Sequence, residues 1–178
     1  MSFGAYSFDI KESKIKGAGN GLFAACDIPE GSIIGEYAGK RFRNNKILSL
    51  EKSSYAANTD TGIVICPDDS CIFRIINDIV DFYTSVTFDK IITHPSLVYN
   101  VDWYQDMHDT EDAFEYAKEF GSRRFLNKDY MELEKLYIKT IRDIKAGEEL
   151  YISYGEDYWL TRFDNDGFRH DFYAKIKN

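Results

Sequence analysis

Four ring side chains crowd one short stretch near the C-terminus: Tyr151, Tyr154, Tyr158 and Trp159 within GEELYISYGEDYW. Far upstream lies a glycine loop, Gly17-Ala18-Gly19-Asn20-Gly21. A dinucleotide fingerprint needs G-x-G-x-x-G between a strand and a helix. Here the last glycine comes one residue too early and a strand-like run follows. The Gly-Lys-Ser/Thr of a phosphate loop is absent as well. The loop is therefore no nucleotide-phosphate cradle; its glycines suit close approach of the backbone to some other ligand, or a hairpin. The aromatic cluster alone describes a core strand and its exit. Cys26, Cys66 and Cys71 are odd in number and form no CxxC pair, and His94, His108 and His170 are scattered. A zinc site needs about four closely spaced ligands, so neither a metal nor a disulfide framework is expected, and the chain reads as intracellular and reducing.

The elements that must position these residues are mostly strands. Residues 7–10, 22–25, 33–37, 63–66, 72–76, 97–103, 136–144 and 149–154 carry apolar, β-branched or alternating runs. Pro67-Asp68-Asp69-Ser70 and Lys145-Ala146-Gly147 read as turns. A short helix fits residues 40–54. The best helix is residues 110–120 (TEDAFEYAKEF), with Thr110 as cap and Gly121 as stop. Its acids Glu111, Asp112, Glu115 and Glu119 suit a basic tail or merely a solvated face. At 178 residues, with 44% hydrophobic residues, the chain is long enough for one domain with a core. A formal charge of −8 argues against direct nucleic-acid binding and suits a cationic partner, or solubility alone. No apolar run is long enough for a signal peptide or membrane span.

Three phrases near the N-terminus read together: Lys16-Gly17 through Gly21-Leu22-Phe23-Ala24, then Asp27-Ile28-Pro29-Glu30-Gly31, then Ile34-Gly35-Glu36-Tyr37-Ala38-Gly39. They resemble the opening of SET-domain protein-lysine methyltransferases. The closing pattern of that family is matched by Arg142-Asp143-Ile144-Lys145-Ala146-Gly147-Glu148-Glu149-Leu150 and Tyr154-Gly155. The tail through Trp159-Leu160 looks most like the compact SET enzymes of large DNA viruses. The central R-F-I-N-H-S of the family is matched by Arg74-Ile75-Ile76-Asn77-Asp78, with Asp for His. A rival match is Arg124-Phe125-Leu126-Asn127-Lys128. The family's later Pro-Asn corresponds to Asn100.

The resemblance implies a mostly-β SET-domain fold, small sheets around a knotted C-terminal segment with short helical insertions. A single domain would span 1–178, with its core over about 14–160, insertions at about 79–96 and 104–135, and a C-terminal extension at 161–178. That extension could close over the site, pack, or form a homodimer contact. The implied reaction is metal-free methyl transfer from S-adenosylmethionine to lysine, leaving S-adenosylhomocysteine. The substrate would be a basic protein, naturally a histone tail or alternatively a non-histone protein, in the nucleus or cytoplasm. Tyr154 would be the catalytic residue. Gly19, Asn20, Gly21, Leu22, Asn77, Asp78, Tyr158 and Trp159 would bind cofactor, and Tyr55, Tyr151 and Ile152 would line the lysine channel. Ile152 carries no hydroxyl to hold a water, which favours di- or trimethylation. A different class, a non-catalytic SET-like binding module, is motivated by Asp78 in place of the family's His.

Overall fold

A computed structural model of the chain describes residues 6–42, 55–59, 62–80, 93–105, 115, 118–119, 135–155 and 158–159. In chain order the strands are β1 (Phe8–Glu12), β2 (Asn20–Ala24), β3 (Ile33–Glu36), β4 (Gly39–Phe42), β5 (Ala57–Asn58), β6 (Val64–Pro67), β7 (Val101–Tyr104) and β8 (Tyr137–Thr140). The expected mostly-β architecture is what the chain adopts, as small antiparallel sheets ordered β1-β2, β3-β8-β7 and β4-β6-β5. Among the described residues no helix is long and apolar enough to cross a membrane. The expected helix over residues 40–54 falls largely outside the described residues, as does the one over 110–120. In the latter only Glu115, Lys118 and Glu119 are described, as helical and exposed.

Two compact units form. The first comprises Met1–Ala5, Ser32–Arg74 and Trp103–Lys139. In it, β4 pairs with β6 and β5 extends the sheet on the far side of β6. β3 pairs with β8 through an irregularity between Ile33 and Gly35. Gly35 leaves room there for the Phe73 ring, which a Cβ would meet at 2.2 Å. Ile63, Ile65 and Ile138 are fully buried, and Tyr37 sets its ring edge-on to Trp103 with centroids 5.0 Å apart.

The expected strand over residues 72–76 is instead a 3-10 helix, Ile72–Ile75. Asp68 drives this. Its carboxylate takes the Ser70 amide and its carbonyl takes the Cys71 amide; the Cys71 carbonyl then takes the Arg74 amide. Once the turn has closed on itself, its amides are spent locally and no ladder can start.

The second unit comprises Tyr6–Gly31, Ile75–Asp102 and Thr140–Asn178. Its frame is the β1-β2 hairpin, in register from Phe8 opposite Ala24 to Glu12 opposite Asn20. Residues 144–152 cross this unit without forming the continuous strand expected over 149–154. On one side Leu150 donates to Leu22 and Ala24 donates to Glu148; on the other Ile152 donates to Asn77. The bridges are single, Phe23 with Glu149 and Asn77 with Tyr151. Because the segment changes partner at nearly every residue, it is buried on both faces: Leu150, Tyr151 and Ile152 are all under 5% exposed.

Candidate active site

The glycine loop, residues 76–80, Asn100 and the C-terminal segment meet within the second unit. Gly19 adopts a positive φ of 76°, which returns the chain into β2. Asn20 is exposed and gives its carbonyl to the Asn77 side-chain amide at 3.0 Å. Gly21 has a different reason to be glycine: a Cβ there would stand 2.1 Å from the Glu149 carboxylate oxygen Oε1. Leu22 is fully buried and its carbonyl holds Leu150. Asn77 is half-buried, and among the described residues its Oδ1 accepts no hydrogen bond.

Asp78 is 4% exposed and anchors the aromatic cluster. Its Oδ2 accepts the Tyr154 backbone amide at 2.8 Å and the Trp159 indole N–H at 2.9 Å; its Oδ1 accepts the Tyr99 hydroxyl at 2.7 Å. The Trp159 ring lies parallel to Tyr154 at 5.8 Å between centroids, and Tyr158 stands edge-on to both. The Tyr154 hydroxyl donates to the Ile76 carbonyl at 2.6 Å. With that proton committed, the Tyr154 oxygen keeps only acceptor capacity for a further partner. Burial first, then the Asp78 carboxylate, pushes the Tyr99 phenol well above its ordinary range.

Tyr151 and Ile152 sit deeper. The Tyr151 ring packs with Ile15 and Ile79, and its hydroxyl donates to Glu149 Oε2 at 2.7 Å. Burial and then Glu149 raise this phenol as well. Ile152 is 1% exposed. Tyr55 belongs to the first unit, where it is exposed, its carbonyl accepts the Tyr37 hydroxyl, and the Arg74 guanidinium lies 5.6 Å over its ring. Asn127, the rival to Asn77, and the extension 161–178 lie outside the described residues. Among the described residues no cluster of three metal-ligating side chains occurs, and the three cysteines are free thiols.

Three participants lie outside the expected site residues. Glu149 is 1% exposed and accepts from Ser13, Lys14, Tyr151 and Asn77. Tyr99 orients Asp78. Asn100 clamps the C-terminal segment, accepting from the Tyr151 amide and donating to the Glu149 carbonyl. The sequence signal for Glu149 is its place in the closing pattern, as an acid ahead of a run of apolar residues. Its neighbour Glu148 shares that signal yet is only half-buried, paired with Arg142 at 2.8 Å.

A family model described as SET domain matches residues 19–155. No curated protein sequence matches the chain. Among solved structures, an active polycomb repressive complex 2 in the basal state superimposes with a TM-score of 0.52 and 24% identity, covering 85% of this chain and 15% of that one. A humanized mutant of the Chaetomium thermophilum complex gives the same score and identity, covering 89% and 16%. A Plasmodium falciparum protein provisionally described as a histone methyltransferase gives 0.50 and 13%, covering 89% and 99%. At these identities the likeness is one of fold. The chain spans about 15% of the polycomb chains and almost all of the Plasmodium protein.

Proposed function

This chain belongs to the SET-domain family, and from that premise we propose that it is a protein-lysine N-methyltransferase using S-adenosylmethionine, with a basic protein such as a histone tail as substrate. The observation that carries the reading is Tyr154. Its hydroxyl is fixed by the Ile76 carbonyl and its backbone by Asp78, beside an Asn77 whose Oδ1 is left over.

The residues fit the donor. The exposed Asn20 edge and the Asn77 acceptor suit an ammonium-bearing amino-acid end, and the half-buried Tyr158 offers ring surface to an adenine, backed by the buried Trp159. When bound, S-adenosylmethionine supplies an electrophilic methyl on a sulfonium. The chain must supply position and a neutral amine. A free lysine has a pKa of about 10.4, so roughly one in 2,500 is uncharged at about pH 7. Aromatic faces attract the cation on entry, and water-poor surroundings favour its neutral form. The Tyr154 oxygen, an acceptor only, holds an amine N–H or a polarised methyl C–H in line without giving up a proton.

One observation favours a second reading, a SET-like binding module without catalysis. The family's His position holds Asp78, whose carboxylate is taken up by Tyr99, Tyr154 and Trp159. Transfer of labelled methyl to whole histones separates the two. Label on lysine is expected, falling about a hundredfold or more in Tyr154→Phe, with mass spectrometry showing products beyond monomethyl-lysine. Label retained in Tyr154→Phe would remove Tyr154 from the centre. No label and no calorimetric binding of S-adenosylmethionine would leave the module.

A further inference from the structure

Glu149 is the buried acid that the proposed chemistry does not use. Burying a carboxylate is costly unless its lone pairs are taken up, and among the described residues no cation pairs with this one. Its partners are all donors. Oε1 accepts from the Ser13 hydroxyl at 2.6 Å and from Asn77 Nδ2 at 3.4 Å. Oε2 accepts from the Lys14 amide at 2.8 Å and the Tyr151 hydroxyl at 2.7 Å. Gly21 lies against Oε1 with no room for a Cβ. The carboxylate thus ties the entrance of the glycine loop, its last glycine, the core and Asn77 to one point.

The consequence falls on Asn77. Which end of an asparagine amide is oxygen is settled by its partners. Here both partners of Nδ2, the Asn20 carbonyl and Glu149 Oε1, can only accept. Turning the amide over would set Oδ1 against two oxygens. Asn77 is therefore held with its acceptor outward. We propose that Glu149 is a positioning residue for donor binding: together with the Asn20 carbonyl it fixes the Asn77 amide, so that the site presents an oxygen, which selects a ligand with a cationic amino group. The proposal rests on S-adenosylmethionine being the donor.

Glu149→Gln tests this selectively. The new amide nitrogen cannot face Lys14 N–H, which has no way to reverse, so it must take the Oε1 place. There the Ser13 hydroxyl can reverse, but Asn77 Nδ2 meets a donor and is left with the Asn20 carbonyl as its one anchor among the described residues. Calorimetric titration with S-adenosylmethionine is run on the wild type, Glu149→Gln, Asn77→Ala and the double variant. Glu149→Gln is expected to weaken binding about five- to tenfold, yet to add less than about twofold once Asn77 is alanine. In the ligand-free protein the Asn77 side-chain amide protons should shift and exchange faster in Glu149→Gln. Losses that multiply independently, or unchanged affinity and unchanged Asn77 protons, overturn the proposal. Wild-type protein that binds no S-adenosylmethionine, with the Asn77 protons still responding to Glu149→Gln, instead overturns the donor reading and the selection drawn from it. Should Glu149→Gln not fold, Ser13→Ala unseats the same Oε1; its effect must likewise vanish in the Asn77→Ala background.

Discussion

Replacing Asp78 by alanine removes one carboxylate and strands three donors: the Tyr154 amide, the Trp159 indole and the Tyr99 hydroxyl. Hydrogen bonds to a charged group contribute about 1.5–3 kcal/mol each, and a buried donor left unpaired costs about 1–3 kcal/mol. The three sites are not equally exposed to that cost. Trp159 is 3% exposed and its N–H is fixed in a rigid ring, whereas the half-buried Tyr99 hydroxyl can turn to Ser153. A loss of about 3–5 kcal/mol follows, against a total stability of about 5–15 kcal/mol. For a chain of this size that lowers the melting temperature by roughly 10 °C. Asparagine behaves differently. Its oxygen can stay on Tyr154 and Trp159 while its NH2 donates to Tyr99, whose proton swings to Ser153. Asp78→Asn is therefore expected to cost only about 1 kcal/mol. Urea unfolding followed by tryptophan fluorescence measures both. If Asn costs as much as Ala, the negative charge matters and the acceptor geometry is not the cause. If Ala costs under about 1 kcal/mol, Asp78 does not hold the cluster.

Two further outcomes concern stability. Tyr151 and Tyr99 have folded pKa values raised above the unfolded value of about 10. Their contribution is thus complete below pH 10 and is lost as pH rises beyond it, because the unfolded chain releases those protons first. For the 4%-exposed Tyr151 the slope approaches about 1.4 kcal/mol per pH unit, and Tyr151→Phe should flatten the curve measured between pH 9 and 11. Gly39→Ala places a Cβ 2.2 Å from the Cys66 carbonyl oxygen, inside the β4-β6 pairing. Backbone cannot step aside as a side-chain tip can, so about 1–3 kcal/mol of destabilisation is expected in thermal melts. A neutral result would mean that the two strands are looser than their register implies.

Much of this protein is determined by local sequence. The glycine loop, the turn at Lys145-Ala146-Gly147 and the alternating runs specify β1, β2, β3 and β8 because turn chemistry and side-chain period act within a few residues. The two terminal phrases likewise mark the SET-domain family and put Tyr154 forward. Local pattern failed where the chain's partners lie far away. Residues 72–76 have strand composition, yet Asp68 captures the Ser70 and Cys71 amides just before them and the Cys71 carbonyl takes the Arg74 amide, so a 3-10 helix forms. Residues 149–154 alternate like a strand, yet change hydrogen-bond partner from β2 to Asn77 and Asn100. Gly21 reads as room for a ligand, but the group pressed against it is Glu149. Nothing local separates Glu148, half-buried and paired with Arg142, from Glu149, buried among four donors. Which of two adjacent acids turns inward depends on what Ser13, Lys14 and Asn77 place opposite it, and only the tertiary structure brings those residues together.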